Sequence, residues 1–146
     1  MKLYTIGFAK KTAEEFFTLI IKNKINILVD VRLNNKSQLA GFTKANDLRF
    51  FLKEICHCEY AHCDEFAPTK EILDSYRQKN IDWNGYVERY LDLMNKRGDY
   101  FKFSERFTPY NNVVLLCSEP TSSHCHRRLL SEMLCEVDSN ITLHHI

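Results

Sequence analysis

The chain has 146 residues, 45% of them hydrophobic and 27% charged, which is one domain's worth of sequence with enough apolar side chains to bury a core. Twenty basic residues against nineteen acidic ones leave a formal charge of +1, so no global field steers the protein onto nucleic acid; a local basic patch keeps that class of partner open. No apolar run reaches the roughly 18 residues of a membrane span, and the first eleven residues, MKLYTIGFAKK, regain charge too soon for a secretory signal, so a cytoplasmic protein without a membrane anchor is expected.

In chain order, Leu3 to Ile6 reads as a short apolar strand followed by Gly7. Thr12 with Glu15 makes a capping box, and Phe16, Leu19 and Ile20 then recur at helical spacing. Ile25 to Val31 is a nearly continuous β-branched run, as expected of a strand buried on both faces. Leu48, Phe51, Leu52 and Ile55 mark a second amphipathic helix, and a weaker strand runs through Cys58 to His62. Pro68-Thr69 opens a helix through Tyr76, and Asp82 caps another whose Trp83, Tyr86, Val87, Tyr90, Leu91 and Met94 follow one face. That aromatic stripe reads as core, with its rings available to wall a pocket. Val113 to Cys117 is the second unambiguous buried strand. A polar loop follows, then a helix bearing Leu129, Leu130, Met133 and Leu134, and a last strand over Ile141 to His145. Strands alternating with helices imply one three-layer α/β domain over residues 1–146, with a mainly parallel sheet and helices on both faces.

Six cysteines (Cys56, Cys58, Cys63, Cys117, Cys125, Cys135) are expected to be thiols in a reducing compartment. Asn35-Lys-Ser and Asn140-Ile-Thr match the glycosylation pattern and, with no secretory route, read as chance matches. The spacings in Cys56-His-Cys58 and Cys58-x4-Cys63 are not those of zinc ribbons or fingers, so no metal is assigned there.

In open α/β sheets ligands bind outside the carboxyl ends of the strands. Thr5 and Gly7 fall at such an end, as do Asp30 and Arg32, Tyr60 and His62, and Cys117-Ser-Glu119. The loop from Cys117 to Arg127 is the most specific feature. Ser122 or Ser123 is expected to cap the following helix, placing Cys125, His126 and Arg127 in a first turn that suits an anion. Arg32, Arg127, Thr5, Gly7, Tyr60, His62 and His126 are therefore candidate ligand contacts. Asp30 and Glu119 are candidate acid, base or metal ligands, and Cys117 and Cys125 candidate nucleophiles. Against these stand plainer readings: an Asp30–Arg32 ion pair, a core role for Cys117, and inert first-turn positions for Cys125 and His126.

Tyr4-Thr-Ile-Gly7, Val29-Asp-Val-Arg32, Gly41-Phe-Thr-Lys44, Tyr60-Ala-His62, Ala67-Pro-Thr-Lys-Glu71, Leu115-Leu-Cys-Ser-Glu119 and Cys125-His-Arg127, with Trp83, Tyr86, Tyr90 and the pair His145-Ile146, resemble the family grouped as domain of unknown function 488 over nearly the whole chain. Phe8 stands where that family commonly has histidine, and Asn34-Asn35 lacks its usual proline. The resemblance implies an α/β fold and a site built from the Cys-x-Glu and Cys-His-Arg segments, and it carries no reaction and no cofactor.

The leading expectation is an enzyme or sensor for a phosphate-bearing ligand, a nucleotide or nucleic-acid end. A phosphatase-type thiol is disfavoured, since six residues beyond Cys117 and Cys125 come Ser123 and Ser131 and not arginine. A metal held by some of Cys117, Glu119, His124, Cys125, His126 and Asp30, and a binding module without turnover, complete the alternatives.

Overall fold

The computed structural model describes residues 1–36 and 41–146; the Asn35-Lys-Ser match ends on Ser37, outside the described residues. Among the described residues five strands form one sheet: β1 (Lys2–Gly7), β2 (Ile27–Asp30), β3 (Glu59–His62), β4 (Asn112–Cys117) and β5 (Thr142–His145). Every pairing is parallel, and the order across the sheet is β3-β2-β4-β1-β5.

The helices start and stop where local chemistry says they should. In α1 (Ala13–Lys22) the Thr12 hydroxyl accepts from the Glu15 amide while the Glu15 carboxylate accepts from the Thr12 amide, satisfying two orphan donors at once. Helix α2 (Ala45–Cys56) ends at His57, which takes the left-handed conformation at φ 51°. Thr69 caps α3 (Lys70–Arg77) through the Ile72 amide, and Asp82 caps α4 (Trp83–Arg97) through the Gly85 amide. Gly98 closes α4 at φ 71°, where an L side chain is strained. The single turn α5 (Phe103–Arg106) and the 3-10 turn before it were not legible as helix, because Phe103 and Tyr100 are too few buried residues to show a period. Helix α6 (His126–Val137) leads to β5.

Side chains alternate along the strands and divide the core into two layers. Leu3, Ile27, Val29, Val113 and Leu115 pack with residues of α3, α4 and α6 on one face; Tyr4, Ile6, Leu28, Val114 and Leu116 pack with α1 and α2 on the other. Each fully buried aliphatic side chain contributes about 1.5–3 kcal/mol relative to exposure. The run from Ile25 to Val31 is strand only over Ile27–Asp30; Ile25 is buried in the turn, its amide bonded to the Ile20 carbonyl. Cys56 is the last residue of α2 and not part of a strand, while Cys58 and Cys63 lie in opposite core layers. Among the described residues no helix is long and apolar enough to cross a membrane.

This division positions the site. Connections leaving β1 and β2 place α1 and α2 on one face, and those leaving β3 and β4 place α3, α4 and α6 on the other. Strand β4 lies between β2 and β1. Its carboxyl end is therefore flanked on both sides by loops turning the opposite way, which opens a crevice at Cys117.

Candidate functional site

Register brings the strand ends level. Gly7 pairs with Cys117, Thr5 with Leu115, and Asp30 with both Leu116 and His62. Over Cys117 lies a cavity of about 350 Å³, lined by Arg32, Leu33, Asn34, Lys70, Leu73, Asp74, Tyr76, Arg77, Tyr86, Ser118, Glu119, His124, Cys125 and His126 besides Cys117 itself.

The floor is made where β4 ends and α6 begins. His126 Nε2 lies 2.8 Å from the Val31 carbonyl oxygen, which can only accept, so that nitrogen carries the proton. The other ring nitrogen, Nδ1, then faces Cys117 Sγ at 3.6 Å. Cys125 hydrogen-bonds to the same sulfur, and this bond, helped by the charges of His126 and Arg127 and opposed by burial, holds the Cys117 thiol well below its ordinary range. The bond to Cys117 and burial push Cys125 the other way. Burial disfavours a charged His126, but the charge and hydrogen bond of Cys117 outweigh it and raise His126. Donor atoms of Cys117, Cys125 and His126 lie within 4.8 Å of one another, and they are the set among the described residues able to share a metal ion.

Helix α6 does not start as expected. Neither Ser122 nor Ser123 caps it; Cys125 is the N-cap and makes no side-chain capping bond. A serine cap contributes about 1 kcal/mol, whereas the helix register here is tied to the core by His126 on Val31 and by Arg127 on Glu119. Arg127, with 1% of its surface exposed, donates from one terminal nitrogen to the Glu119 carbonyl at 2.8 Å. Its Nε is buried without a hydrogen-bond partner, and among the described residues no carboxylate pairs with it. Burial and the positive charge of Arg127 lower both Lys11 and His145. Gly7 makes the arrangement possible by having no side chain against the Glu119 backbone. Thr5 is wholly buried and bonded to His145 Nδ1 at 2.6 Å, tying β1 to β5 beneath the site.

On the β2 side, Arg32 grips Asp30 with two parallel bonds of 2.8 and 2.7 Å, donates to the Thr43 carbonyl, and lies over the Phe8 ring. Tyr60 donates to the same carboxylate at 2.6 Å and accepts from Asn35; burial and the Asp30 charge push its phenol far above the ordinary value. His62 donates to the Arg32 carbonyl at 2.9 Å. Buried Asp30, half-buried Tyr60 and exposed His62 thus hold Arg32 from three sides, and Arg32 alone of the four reaches the cavity.

Of the residues picked out by sequence, Arg32, Cys117, Glu119, Cys125 and His126 line the cavity, while Thr5, Gly7, Asp30, Tyr60, His62 and Arg127 do not. Sequence reasoning missed the wall from α3: Lys70, Tyr76 and Arg77. Its only advance signal was two cations and an aromatic on a helix following Pro68-Thr69, a pattern shared with any solvated helix. Trp83 stacks on Tyr86 and meets the His124 ring edge-on at 4.9 Å, so the aromatic stripe serves both core and cavity wall.

Neither the curated proteins nor the solved structures yield a match to this chain. The family model described as domain of unknown function DUF488 matches residues 12–134, a span that includes the Asp30–Arg32 clamp, the cavity and the Cys117–His126 floor. The chain belongs to the DUF488 family.

Proposed function

We propose that the protein binds and processes a phosphate-bearing ligand, a nucleotide or a nucleic-acid end, in the cavity over Cys117. The observation that carries this reading is the convergence of positive charge on one cleft. Arg77 lines it, beside Arg32, which shares its charge with Asp30, and Lys70, which pairs with Asp74 at 3.4 Å, and the uncapped first turn of α6 forms its floor. Beneath that floor lies the buried guanidinium of Arg127 without a carboxylate partner. A buried cation without a carboxylate partner is costly, and an anionic ligand adds to the partial compensation that the Cys117 sulfur supplies.

The dimensions and the remaining wall agree with a nucleotide. About 350 Å³ falls near the lower end of ligand pockets, room for one base and sugar with its phosphate. Half-buried Tyr76 is the ring available to a base, backed at 5.1 Å by the buried Tyr86. Glu119 is exposed at the rim, its carboxylate free of the ion pairs that hold other acidic groups of the described residues, and is the proton-handling group of the reading.

Trp83 is the only tryptophan of the chain and touches the cavity wall through Tyr86 and His124, which makes it a reporter. Titration with a nucleoside monophosphate should change its emission saturably, and the unphosphorylated nucleoside should bind more weakly by tenfold or more, on the order of one charge-assisted contact. Equal affinity for nucleoside and nucleotide would remove the phosphate from the reading.

A further inference from the structure

We propose that Cys117, Cys125 and His126 form a three-ligand site for zinc or a comparable thiophilic divalent ion, with the fourth coordination position opening on the cavity.

The geometry carries this. Tetrahedral zinc has Zn–S of about 2.3 Å and Zn–N of about 2.0–2.1 Å, which places a sulfur and a nitrogen ligand about 3.6 Å apart and two sulfurs about 3.8 Å apart. Cys117 Sγ and His126 Nδ1 are 3.6 Å apart, and all three donor atoms fall within 4.8 Å of one another. A small sulfur movement closes the triangle on an ion.

The imidazole is set for the task. A ligating histidine usually donates its other ring N–H to a carbonyl or carboxylate, which fixes tautomer and ring plane. His126 Nε2 does this to the Val31 carbonyl at 2.8 Å, leaving the Nδ1 lone pair on the side of the two sulfurs. Two of the donors are adjacent at the start of α6 and the third ends the neighbouring strand, so the sheet and the helix register hold the triangle before any ion arrives.

Chemistry and access select the ion and the type of site. Two sulfurs and an imidazole suit zinc and disfavour magnesium or calcium, which take oxygen ligands. Two thiolates balance a dication, so the occupied site is neutral. The three residues are 6%, 3% and 5% exposed, yet each borders the cavity. Three protein ligands with one position open to a pocket is the pattern of a catalytic zinc, whereas structural zinc is closed by a fourth protein ligand. The other cysteines offer no rival set: Cys58 and Cys63 lie in opposite core layers, and Cys135 is on α6 beyond the first turn.

The inference goes beyond the ligand reading and does not depend on it, since the ion needs no phosphate compound to bind. The test uses the full chain without a histidine tag, reduced with a phosphine, stripped with EDTA and titrated with Co²⁺. About one Co²⁺ per chain should bind, with a sulfur-to-cobalt charge-transfer band and the visible absorption of tetrahedral cobalt, and Zn²⁺ should displace it. Cys117→Ser and Cys125→Ser should each remove most of the charge-transfer intensity and weaken binding by tenfold or more.

Should either variant fail to fold, the wild-type chain still decides. Zn²⁺ should slow iodoacetamide labelling of Cys117 and of no other cysteine, and EDTA should restore it. Absence of a charge-transfer band in folded, reduced protein overturns the proposal, as does labelling of Cys117 that Zn²⁺ leaves unchanged. Fluorescence titration of the EDTA-treated chain with a nucleotide separates this failure from that of the ligand reading.

Discussion

Gly7 and Glu119 meet so closely that a Cβ on Gly7 would stand 1.6 Å from the Glu119 carbonyl oxygen. That oxygen is also the acceptor of the Arg127 guanidinium, whose nearer nitrogen would lie 3.0 Å from the same Cβ. The glycine is required by close backbone approach, not by an unusual φ, and it fixes the height of the Cys117–Arg127 loop over the sheet. Gly7→Ala is expected to cost about 3 kcal/mol or more, beyond ordinary overpacking, because the clash is with main chain that cannot rotate away. Urea unfolding measures it, and a loss below about 0.5 kcal/mol would contradict the arrangement.

The Asp30–Arg32 clamp is buried and doubly bonded, so removing one partner strands the other. Asp30→Asn and Arg32→Met should each destabilise by about 3–5 kcal/mol, while the double change Asp30→Leu with Arg32→Met should recover much of the loss. Tyr60→Phe, which removes one donor to the carboxylate, should cost about 1.5–3 kcal/mol. Additive losses in the double variant would show that the clamp is not one unit.

Arg127 behaves differently from Arg32 because no carboxylate faces it. Arg127→Met keeps the bulk of the side chain and removes a buried charge that no carboxylate among the described residues balances and that lowers Lys11 and His145. Its ligand-free stability should stay within about 1 kcal/mol of wild type, while affinity for a phosphate compound falls. A loss of several kcal/mol without any change in affinity would make Arg127 a purely structural anchor of Glu119.

Burial sets the reactivity of the remaining thiols. It pushes Cys56 up to about 11, and Cys58 and Cys63 each up to about 12. For a thiol at about 12 the thiolate at pH 8 is on the order of one part in ten thousand, so labelling by iodoacetamide should be negligible until the chain unfolds. Peptide mass spectrometry over a time course reads this directly; rapid native labelling of Cys58 or Cys63 would mean that their core layers open.

Much of this was legible in the residues themselves. Thr12 with Glu15, Thr69 and Asp82 marked helix starts because capping is chemistry between neighbours in sequence. The apolar runs Ile25 to Val31 and Val113 to Cys117 marked the two buried strands, the first too long at both ends, and placing polar residues at strand ends assembled the Cys117 floor. What escaped depends on order in space. That Lys70, Tyr76 and Arg77 wall the cavity follows from β3 lying at the sheet edge and α3 folding back over β4, which no local pattern encodes. That Arg127 turns inward while Arg32 reaches the cavity depends on Gly7 admitting the Glu119 backbone, a contact between residues far apart in the chain. The α6 cap went to Cys125 because two buried anchors outcompeted a serine hydroxyl.

The most direct test of the ligand reading is a thermal melt of wild type, Arg77→Ala and Lys70→Ala with inorganic phosphate and a panel of nucleotides. Both substituted residues are exposed on the cavity wall, so the folds should be intact. The account predicts that a phosphate compound at a hundred times its dissociation constant stabilises wild type by about 2.7 kcal/mol, several degrees in Tm. It predicts a much smaller shift in Arg77→Ala at the same concentration. No shift of wild type with any phosphate compound, or a shift undiminished in both variants, would contradict it.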